Sequence, residues 1–300
     1  MIDKLEFVLF LAQERHFGRA AEAAGVSQPT LSSALKSLED QLGVVIVERG
    51  SRFRGFTAEG ERVLEWARKL VSDSRTMRQE IEALKKGLDG TLRLAVIPTS
   101  LPFVPELTVP LHKRYPGVAF AVQSLTTDSI LQRIDNLEAD AGITYLDYAP
   151  LRRFKVLPLY HERYALIVAT TSPLAMLETI SWREASRLPL CLLSKDMQNR
   201  QTIDKHLEEA GGVRVPMLDS NSLFLLCAHV RSGDWASIMP ARFVETLEAP
   251  GSLKAIPISN PTVSREVGIV FEKRDLHSPL IEALKKHVQS LSCEPALVPQ

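Results

Sequence analysis

The chain has 300 residues, of which 45% are hydrophobic and 24% are charged, as in ordinary globular proteins. This length suffices for two or three domains of about 100–200 residues each. Lysine and arginine number 36, as do aspartate and glutamate. Because the net charge is zero, the overall charge argues neither for nor against a nucleic-acid partner, and the local distribution must decide.

Export, membrane insertion and zinc binding are not expected. The apolar run of residues 7–12 is too short for the core of a signal peptide, and no apolar stretch approaches the roughly 18 residues of a membrane span. The three cysteines, Cys191, Cys227 and Cys293, are far apart and lack the spacing of metal ligands. We therefore expect a cytoplasmic protein with no cofactor and no membrane partner, with Cys191 and Cys227 buried as small apolar residues.

Two short helices are predicted at the beginning of the chain. The first is indicated by apolar residues at helical spacing, Leu5, Val8, Leu9 and Ala12. The second is the alanine-rich segment from about Gly18 to Ala24, and Gly25 suits the turn that ends it.

A third helix follows, with an apolar side and a polar side. Ser27 is a good N-cap, and Pro29 fits the first turn because its missing N–H does no harm there. The apolar side is predicted from residues spaced by four, three and four positions, Leu31, Leu35, Leu38 and Leu42.

A helix, a glycine-containing turn and a capped helix with a polar side form the helix-turn-helix pattern. In that motif the second helix enters the DNA major groove with its N-terminal residues first, where amide and hydroxyl groups bond to bases and phosphates. The predicted DNA contacts on this helix are Ser27, Gln28, Pro29, Thr30, Ser32, Ser33 and Lys36. The alternative is a small helical bundle with a hydrophilic surface.

The next segment predicts a β-wing. Residues 44–47 form one short strand, Gly50 and Ser51 form the turn, and Phe53 and Phe56 anchor the returning strand. Three arginines lie close together at this point, and such a tip can reach phosphates or a narrow minor groove. We predict that they contact DNA: Arg49, Arg52 and Arg54.

One long helix is predicted from Ala58 to about Gly87, with Thr57 as its cap. Its apolar residues alternate spacings of four and three, which predicts a coiled-coil seam of about three heptads with a second chain. The seam residues are Val63, Ala67, Leu70, Ser74, Met77, Ile81 and Leu84. The alternative is a helix packed on its own domain. Residues 85–90 are interpreted as a hinge.

From residue 91 on, strands and helices alternate, which predicts an α/β sheet with parallel strands. A strand-rich crossing near residues 156–170 separates two similar series. We predict lobe I at about 90–161 and 267–295 and lobe II at about 162–266. Two lobes joined by crossing strands leave a cleft, which is a common small-molecule site.

Polar residues at strand-to-helix junctions are the predicted effector contacts. Hydroxyl groups and free N–H groups at helix N-termini bind anions without catalysis, so we expect an anionic effector. These residues are Thr99, Ser100, Thr126, Thr127, Asp128, Ser194, Gln198 and Arg200. For each of them, an ordinary helix cap is the alternative.

The stretch FGRAAEAAGVSQPTLSSALKSLEDQLGVVIVERGSRFRGFTAEG resembles the LysR-type transcriptional regulators. The similarity lies in the alanine-rich helix and in a series of matching positions, Ser27-Gln28-Pro29, Leu38-Glu39, Leu42-Gly43, Arg49, Arg52, Thr57 and Gly60. The linker helix and the two-lobed domain continue it across nearly the whole chain.

The resemblance implies a winged helix-turn-helix DNA-binding domain (residues 1–58), a dimerising linker helix with a hinge (59–89) and an effector-binding domain like type 2 periplasmic binding proteins (90–295). It implies that Gln28, Pro29, Thr30, Ser32, Ser33 and Arg52 face DNA and that Thr99, Ser100 and Thr127 line the effector pocket. The partners implied are double-stranded promoter DNA, a small-molecule effector and further copies of the chain as a dimer of dimers, with RNA polymerase as an additional candidate.

Three positions depart from the family pattern. Ser33 stands where arginine is frequent, Val47 where phenylalanine is usual, and Asp234-Trp235 replaces a small, glycine-rich pair. The first departure bears on base preference and the third on lobe II or its subunit contacts.

Two other classes of function fit the sequence less well. An enzyme is disfavoured because no nucleophile elbow, phosphate-binding loop, dinucleotide fingerprint or zinc-protease motif is found. A transport-type binding protein is disfavoured by the N-terminal DNA module.

Overall fold

The computed structural model describes residues 1–48, 53–212, 216–246 and 251–293. Its contacts divide the chain into two compact units. The first comprises residues 1–89 with 132–139 and 274–282, and the second comprises 90–131, 140–273 and the residues from 283 on. No helix in the described ranges combines the length and the apolar character needed to cross a membrane.

Four helices open the first unit: α1 (Ile2–Glu14), α2 (Phe17–Ala23), α3 (Gln28–Leu42) and α4 (Ala58–Lys86). Side chains that satisfy the first free N–H groups fix where three of them begin. His16 Nδ1 accepts from Gly18 N–H at the start of α2. Ser27 Oγ accepts from Thr30 N–H, and Thr57 Oγ1 accepts from Gly60 N–H, as the sequence predicted for both caps.

The core of this unit lies between α1, α2, α3 and the first half of α4. Leu31, Leu35 and Leu38 are buried in it, as the spacing predicted. Leu42, predicted on the same side, is instead 42% exposed. The reason is its position, because α3 ends there and Gly43 takes a left-handed φ of 69° that turns the chain away.

The predicted pair of wing strands is wrong in its extent. The described residues form a single antiparallel bridge between Val47 and Phe56, and Glu48 N–H bonds to the carbonyl of Gly55. The carboxylate of Glu39 supplies the physical reason. It accepts the N–H groups of Ile46 and Val47, at 2.7 and 3.2 Å, and the Ile46 N–H is the one that a longer ladder would need.

The bounds of helix α4 agree with the prediction to within one residue, but its buried and exposed residues are distributed differently. Ala67 is fully buried with Leu64 and Val71 against the unit's own core, because α1 packs along this half of α4. Ala67 is therefore not a seam residue. Trp66, which the sequence analysis left out, is exposed instead.

The start of α4 passes very close to the base of the wing. A Cβ on Gly60 would stand 2.0 Å from the carbonyl oxygen of Ile46, and Thr57 N–H donates to that same oxygen. Gly60→Ala is therefore expected to destabilise the first unit by about 1–3 kcal/mol, as overpacking does. Urea unfolding checks this. Glu61→Ala, an exposed neighbour, should cost about 1 kcal/mol or less, and an equal cost for both variants would contradict the close approach.

The chain from residue 90 on alternates strands and helices. The strands are β1 (Gly90–Val96), β2 (Val118–Ser124), β3 (Ala141–Tyr145), β4 (Phe154–Ala169), β5 (Ile180–Ser181), β6 (Cys191–Leu193), β7 (Leu218–Ser220), β8 (Ser237–Pro240), β9 (Leu253–Ser259) and β10 (Ser264–Glu272). The α-helices are α5 (Val104–Arg114), α6 (Thr127–Asp135), α7 (Trp182–Ala185), α8 (Gln198–Glu209), α9 (Leu223–Arg231), α10 (Ala241–Thr246) and α11 (Pro279–Cys293). A 3₁₀ turn, Pro98–Phe103, precedes α5.

The main sheet is mixed, whereas the sequence predicted parallel strands. Its order is β2-β1-β3-β10-β4-β9-β5, with β8 also paired to β4, and β6 pairs with β7 in a separate sheet. β1 is parallel to β2 and β3, while β10 and β4 run antiparallel to their neighbours. The antiparallel part arises because β4 and β10 cross between the two halves of this unit and return in opposite directions.

Strand β4 changes its partners along its length and thereby separates two lobes. Up to Arg163 it pairs with β10, and from Tyr164 on it pairs with β8 and β9. Lobe I contains the strands around β1, and lobe II contains β5 to β9 with two apolar clusters of its own.

Candidate DNA interface and effector site

The polar side of α3 is fully displayed. All seven residues predicted to contact DNA from this helix are exposed: Ser27, Gln28, Pro29, Thr30, Ser32, Ser33 and Lys36. The hydroxyl groups of Ser27 and Thr30 are 2.8 Å apart and hydrogen-bonded, which fixes the first turn. Leu31, Leu35 and Leu38 hold the opposite side of the helix in the core. The helix can therefore present its N-terminal polar groups as one rigid surface.

The base of the wing is anchored beside α2. Phe53 contacts Phe17 edge to face at 6.2 Å between ring centroids, and it contacts Phe56 in the same way at 5.3 Å. Arg54 is exposed next to this aromatic group. The predicted contacts Arg49 and Arg52 lie outside the described residues, so their role stays a prediction.

Helix α4 carries an exposed apolar stripe, which we call the α4 stripe. It consists of Trp66, Leu70, Met77, Ile81 and Leu84. Apolar side chains in this number are rarely left in water along one helix face, and such patches mark interaction surfaces. The α4 stripe keeps four of the seven predicted seam residues.

The first predicted effector junction is closed to solvent. Thr99 and Ser100 lie in the 3₁₀ turn after β1, and both are buried. Thr99 Oγ1 is 3.2 Å from Tyr145 Oη, and Ser100 Oγ accepts a hydrogen bond of 3.0 Å from Tyr160 Oη. Both hydroxyl groups are thus engaged within the protein.

The second junction serves mainly the local structure. Thr126 Oγ1 accepts from Ser129 N–H at the start of α6, which is the cap interpretation. Thr127 is buried and hydrogen-bonded to Thr144 at 2.7 Å. Asp128 is exposed and accepts from the Tyr148 hydroxyl.

The third junction lies in lobe II. Arg200 is only 1% exposed, and its guanidinium donates to the Leu193 carbonyl at 2.7 Å and to Asp204 at 2.6 Å. Gln198 begins α8, and its carbonyl accepts from Arg265. Ser194 Oγ is buried and finds no hydrogen-bond partner in the described part of the chain. The assignment of these three junctions as effector contacts stays a prediction.

A buried carboxyl group, which the sequence analysis missed, joins these junctions. Glu162 on β4 is 2% exposed and accepts hydrogen bonds from the hydroxyls of Tyr145, at 2.8 Å, and Tyr160, at 3.3 Å. With Thr99 and Ser100 behind the two tyrosines, these residues form what we call the Glu162 cluster. Asn199 on α8 reaches it by donating to Tyr145 Oη at 3.4 Å.

Burial dominates the electrostatics of the Glu162 cluster. It raises the pKa of Glu162 to about 7, although the hydrogen bonds from Tyr145, Thr99 and Tyr160 and the charge of Arg265 lower that pKa. Burial and the nearby Glu162 also raise the pKa of Tyr145 well above its ordinary range. The Arg265 guanidinium lies 3.8 Å from the centre of the Tyr145 ring, and its Nε donates to Asp147 at 2.9 Å.

A cavity of about 540 Å³ lies beside the 3₁₀ turn and the start of α9. This volume is within the range of small-molecule sites. Residues of both lobes line it: Pro98, Leu101, Pro102, Ser124, Met197, Asn221, Ser222, Leu223, Phe224, Phe243 and Thr246. None of the eight predicted effector contacts is among them.

The two cysteines whose side chains the structure describes are not reactive thiols. Burial raises the pKa of Cys191 to about 11 and also raises the pKa of Cys227. Both are buried in lobe II, as the sequence predicted. A raised pKa reduces the fraction of thiolate, and only the thiolate reacts readily.

Residues 2–61 match the bacterial regulatory helix-turn-helix protein family of LysR type, and residues 85–292 match the LysR substrate binding domain. The hydrogen peroxide-inducible genes activator of Dickeya chrysanthemi is 27% identical over 293 residues, 96% of each chain. The DNA-binding transcriptional dual regulator OxyR of Escherichia coli K12 is 28% identical over 289 residues, covering 95% of this chain and 94% of the relative.

Solved structures agree with these matches. A full-length OxyR variant from Pseudomonas aeruginosa superposes with a TM-score of 0.73 at 29% identity and covers 98% of both chains. The LysR family regulator CbnR, solved with its target DNA, has the same fold at a TM-score of 0.60 and 20% identity, over 97% of this chain and 99% of that one. The predicted fold class is thereby confirmed. The chain belongs to the LysR family and is a DNA-binding transcriptional regulator with an effector-binding domain.

Proposed function

We propose that this regulator recognises its promoter through the N-terminal half of α3, with Gln28, Thr30, Ser32, Ser33 and Lys36 as the reading residues and Ser27 and Pro29 shaping the first turn. The observation that supports this most is the polar, exposed side of a helix whose other side is fixed in the core. Arg54 and the predicted wing arginines Arg49 and Arg52 add phosphate or minor-groove contacts. The site of action is the cytoplasm, where bacterial promoter DNA lies.

The active form in this proposal is a homo-oligomer. The α4 stripe pairs with the same stripe of a second chain, and this holds two recognition helices at a fixed separation. Because the two recognition helices then belong to one dimer, binding to the second half-site is intramolecular. Pairing therefore raises the affinity for DNA with two half-sites without any new base contact. Dimers associate further into a dimer of dimers, as the family resemblance implies, and contact with RNA polymerase is a further candidate interaction.

Control by a small molecule is the second part of the proposal. The cavity between the lobes is the effector site, and a bound effector changes the relative populations of two arrangements of the lobes. It can do so only by binding one arrangement more tightly, typically by about 1–3 kcal/mol of coupling. The chain acts through binding and does not catalyse a reaction, in keeping with relatives that are transcriptional regulators.

Peroxide sensing by a thiol is not part of this proposal. The names of two relatives refer to hydrogen peroxide-inducible genes. In this chain, Cys191 and Cys227 are buried and their pKa values are raised, which disfavours the thiolate that peroxide attacks. A ligand that fills a cavity is a better candidate signal.

Gln28→Ala tests the reading surface. We expect the variant to lose about 1–3 kcal/mol of preference for its operator over random duplex, because a bidentate amide contact to adenine has that value. Fluorescence anisotropy with a fragment from the gene's own upstream region measures it. Gln41→Ala is the control, since Gln41 lies on α3 about 19 Å further along the helix and on another side. Equal selectivity of Gln28→Ala and the unmodified chain would show that Gln28 does not contact bases specifically.

A further inference from the structure

The lobe I wall of the cavity is apolar because of how one short turn is oriented. The residues of the 3₁₀ turn that line the cavity are Pro98, Leu101 and Pro102. On the same turn, Thr99 and Ser100 are buried and direct their hydroxyl groups to the tyrosines of the Glu162 cluster. The hydroxyl groups of the turn thus form hydrogen bonds inside the protein, and its apolar side chains face the cavity.

The lobe II wall has the same character. Met197, Leu223 and Phe243 are buried around the cavity, and Phe224 is 75% exposed beside it. The polar residues of the lining are small and neutral: Ser124, Asn221, Ser222 and Thr246. The described lining therefore contains no ionisable side chain.

Three arginines of this domain are already paired. Arg200 is buried on Leu193 and Asp204, and Arg265 binds Asp147 and stacks on Tyr145. Arg242 pairs with Glu106 and lies over the rings of Phe103 and Tyr160, 5.0 and 4.9 Å from their centres.

A carboxylate placed in this cavity would lose part of its hydration without gaining a counter-charge from the described lining, which is costly. An aromatic ring would find apolar contacts on both walls, with Phe224 and Phe243 suited to ring–ring packing. Hydroxyl and amide groups of the lining can bond a carbonyl or hydroxyl group of a ligand. The expectation of an anionic effector, drawn from the junction hydroxyls, does not fit these walls.

We propose that the cavity binds an uncharged small molecule with an aromatic or similarly apolar body and one or two hydrogen-bonding groups. Its role as the effector rests on the proposed function, whereas its charge class rests on the walls alone. Ser124, Asn221 and Ser222 orient the polar group, and Leu101, Phe224 and Phe243 hold the apolar body.

Matched pairs of probes test the charge class: benzamide against benzoate, 2-naphthamide against 2-naphthoate, and indole-3-acetamide against indole-3-acetate. Isothermal titration calorimetry with the full chain measures affinity, and promoter binding is measured in parallel. We expect the best amide to bind at least about tenfold more tightly than its carboxylate. Tighter binding of the carboxylates, or no amide binding up to millimolar concentration, overturns the proposal.

Leu101→Arg locates the binding at this cavity. A cation in the lining should reverse the preference toward the carboxylates, while Val109→Arg, on an exposed part of α5 outside the lining, should leave it unchanged. An unchanged preference in Leu101→Arg also overturns the proposal. If amides bind but promoter affinity does not respond, the ligand class stands and effector control fails. If promoter DNA is not distinguished from random duplex, DNA recognition fails independently of both.

Discussion

Replacing Met77 and Ile81 together by glutamate is expected to separate the chain into monomers and to weaken promoter binding by about a hundredfold or more. Both side chains are exposed on the α4 stripe. Burying such a side chain is worth about 1.5–3 kcal/mol, and each dimer loses four of them while gaining four like charges. Sedimentation velocity gives the oligomeric state, and anisotropy with a fragment that carries both half-sites gives the affinity.

Arg78→Glu provides the matched control for this result. Arg78 is adjacent to Met77 and exposed, but it lies about 100° around the helix from it. The control therefore adds a negative charge to the same turn without entering the α4 stripe, and it should remain oligomeric. If the double variant keeps the oligomeric state of the unmodified chain, the dimer interface does not lie on α4.

The second large effect concerns the stability of the effector-binding domain with pH. Glu162 has a pKa of about 7 in the folded chain, against an ordinary value of 4.5. Between these values the folded chain holds a proton that the unfolded chain has lost, so stability falls as pH rises through this window. This pKa difference lowers the free energy of unfolding by about 3 kcal/mol between pH 4.5 and pH 8. Glu162→Gln, which carries no charge at any pH, should lack this component.

Urea unfolding followed by tryptophan fluorescence at a series of pH values measures the effect. Tyr145, Tyr160 and Tyr164 stay protonated across this range because burial raises the pKa of each, and Arg265 stays charged. The difference between the unmodified chain and Glu162→Gln therefore isolates Glu162. Glu178→Gln, at an exposed carboxyl in lobe II, should retain the full slope. Parallel pH profiles for the unmodified chain and Glu162→Gln would show that the pKa of Glu162 is not raised by folding.

Local patterns predicted the first unit well because its contacts are close in sequence. The leucines of α3 are three and four residues apart, and Ser27 and Thr57 bond to N–H groups three residues on. The predicted length of the wing strands was wrong because it depends on Glu39, whose carboxylate reaches backbone groups seven and eight residues away. Ala67 was misassigned because periodicity alone does not tell which neighbour covers a given side of α4.

The effector site was harder to predict because its chemistry depends on strand register. Glu162 lies between His161 and Arg163 on β4, so its local sequence does not mark it as buried. Its partner Tyr145 comes from β3, with β10 lying between the two strands. Thr99 and Ser100 were correctly placed after β1 as polar junction residues. Their direction could not be predicted, since it depends on tyrosines 46 and 60 residues further along the chain.

Because Cys191 and Cys227 are buried, their chemical labelling reports local opening of lobe II. A thiol reagent can modify either side chain only while lobe II opens locally, so the rate of labelling measures the frequency of that opening. With Cys293 replaced by serine, the time course would follow these two sites alone. A ligand that fills the adjoining cavity should slow the labelling, and the same two thiols would then provide a screen for effectors that requires no DNA.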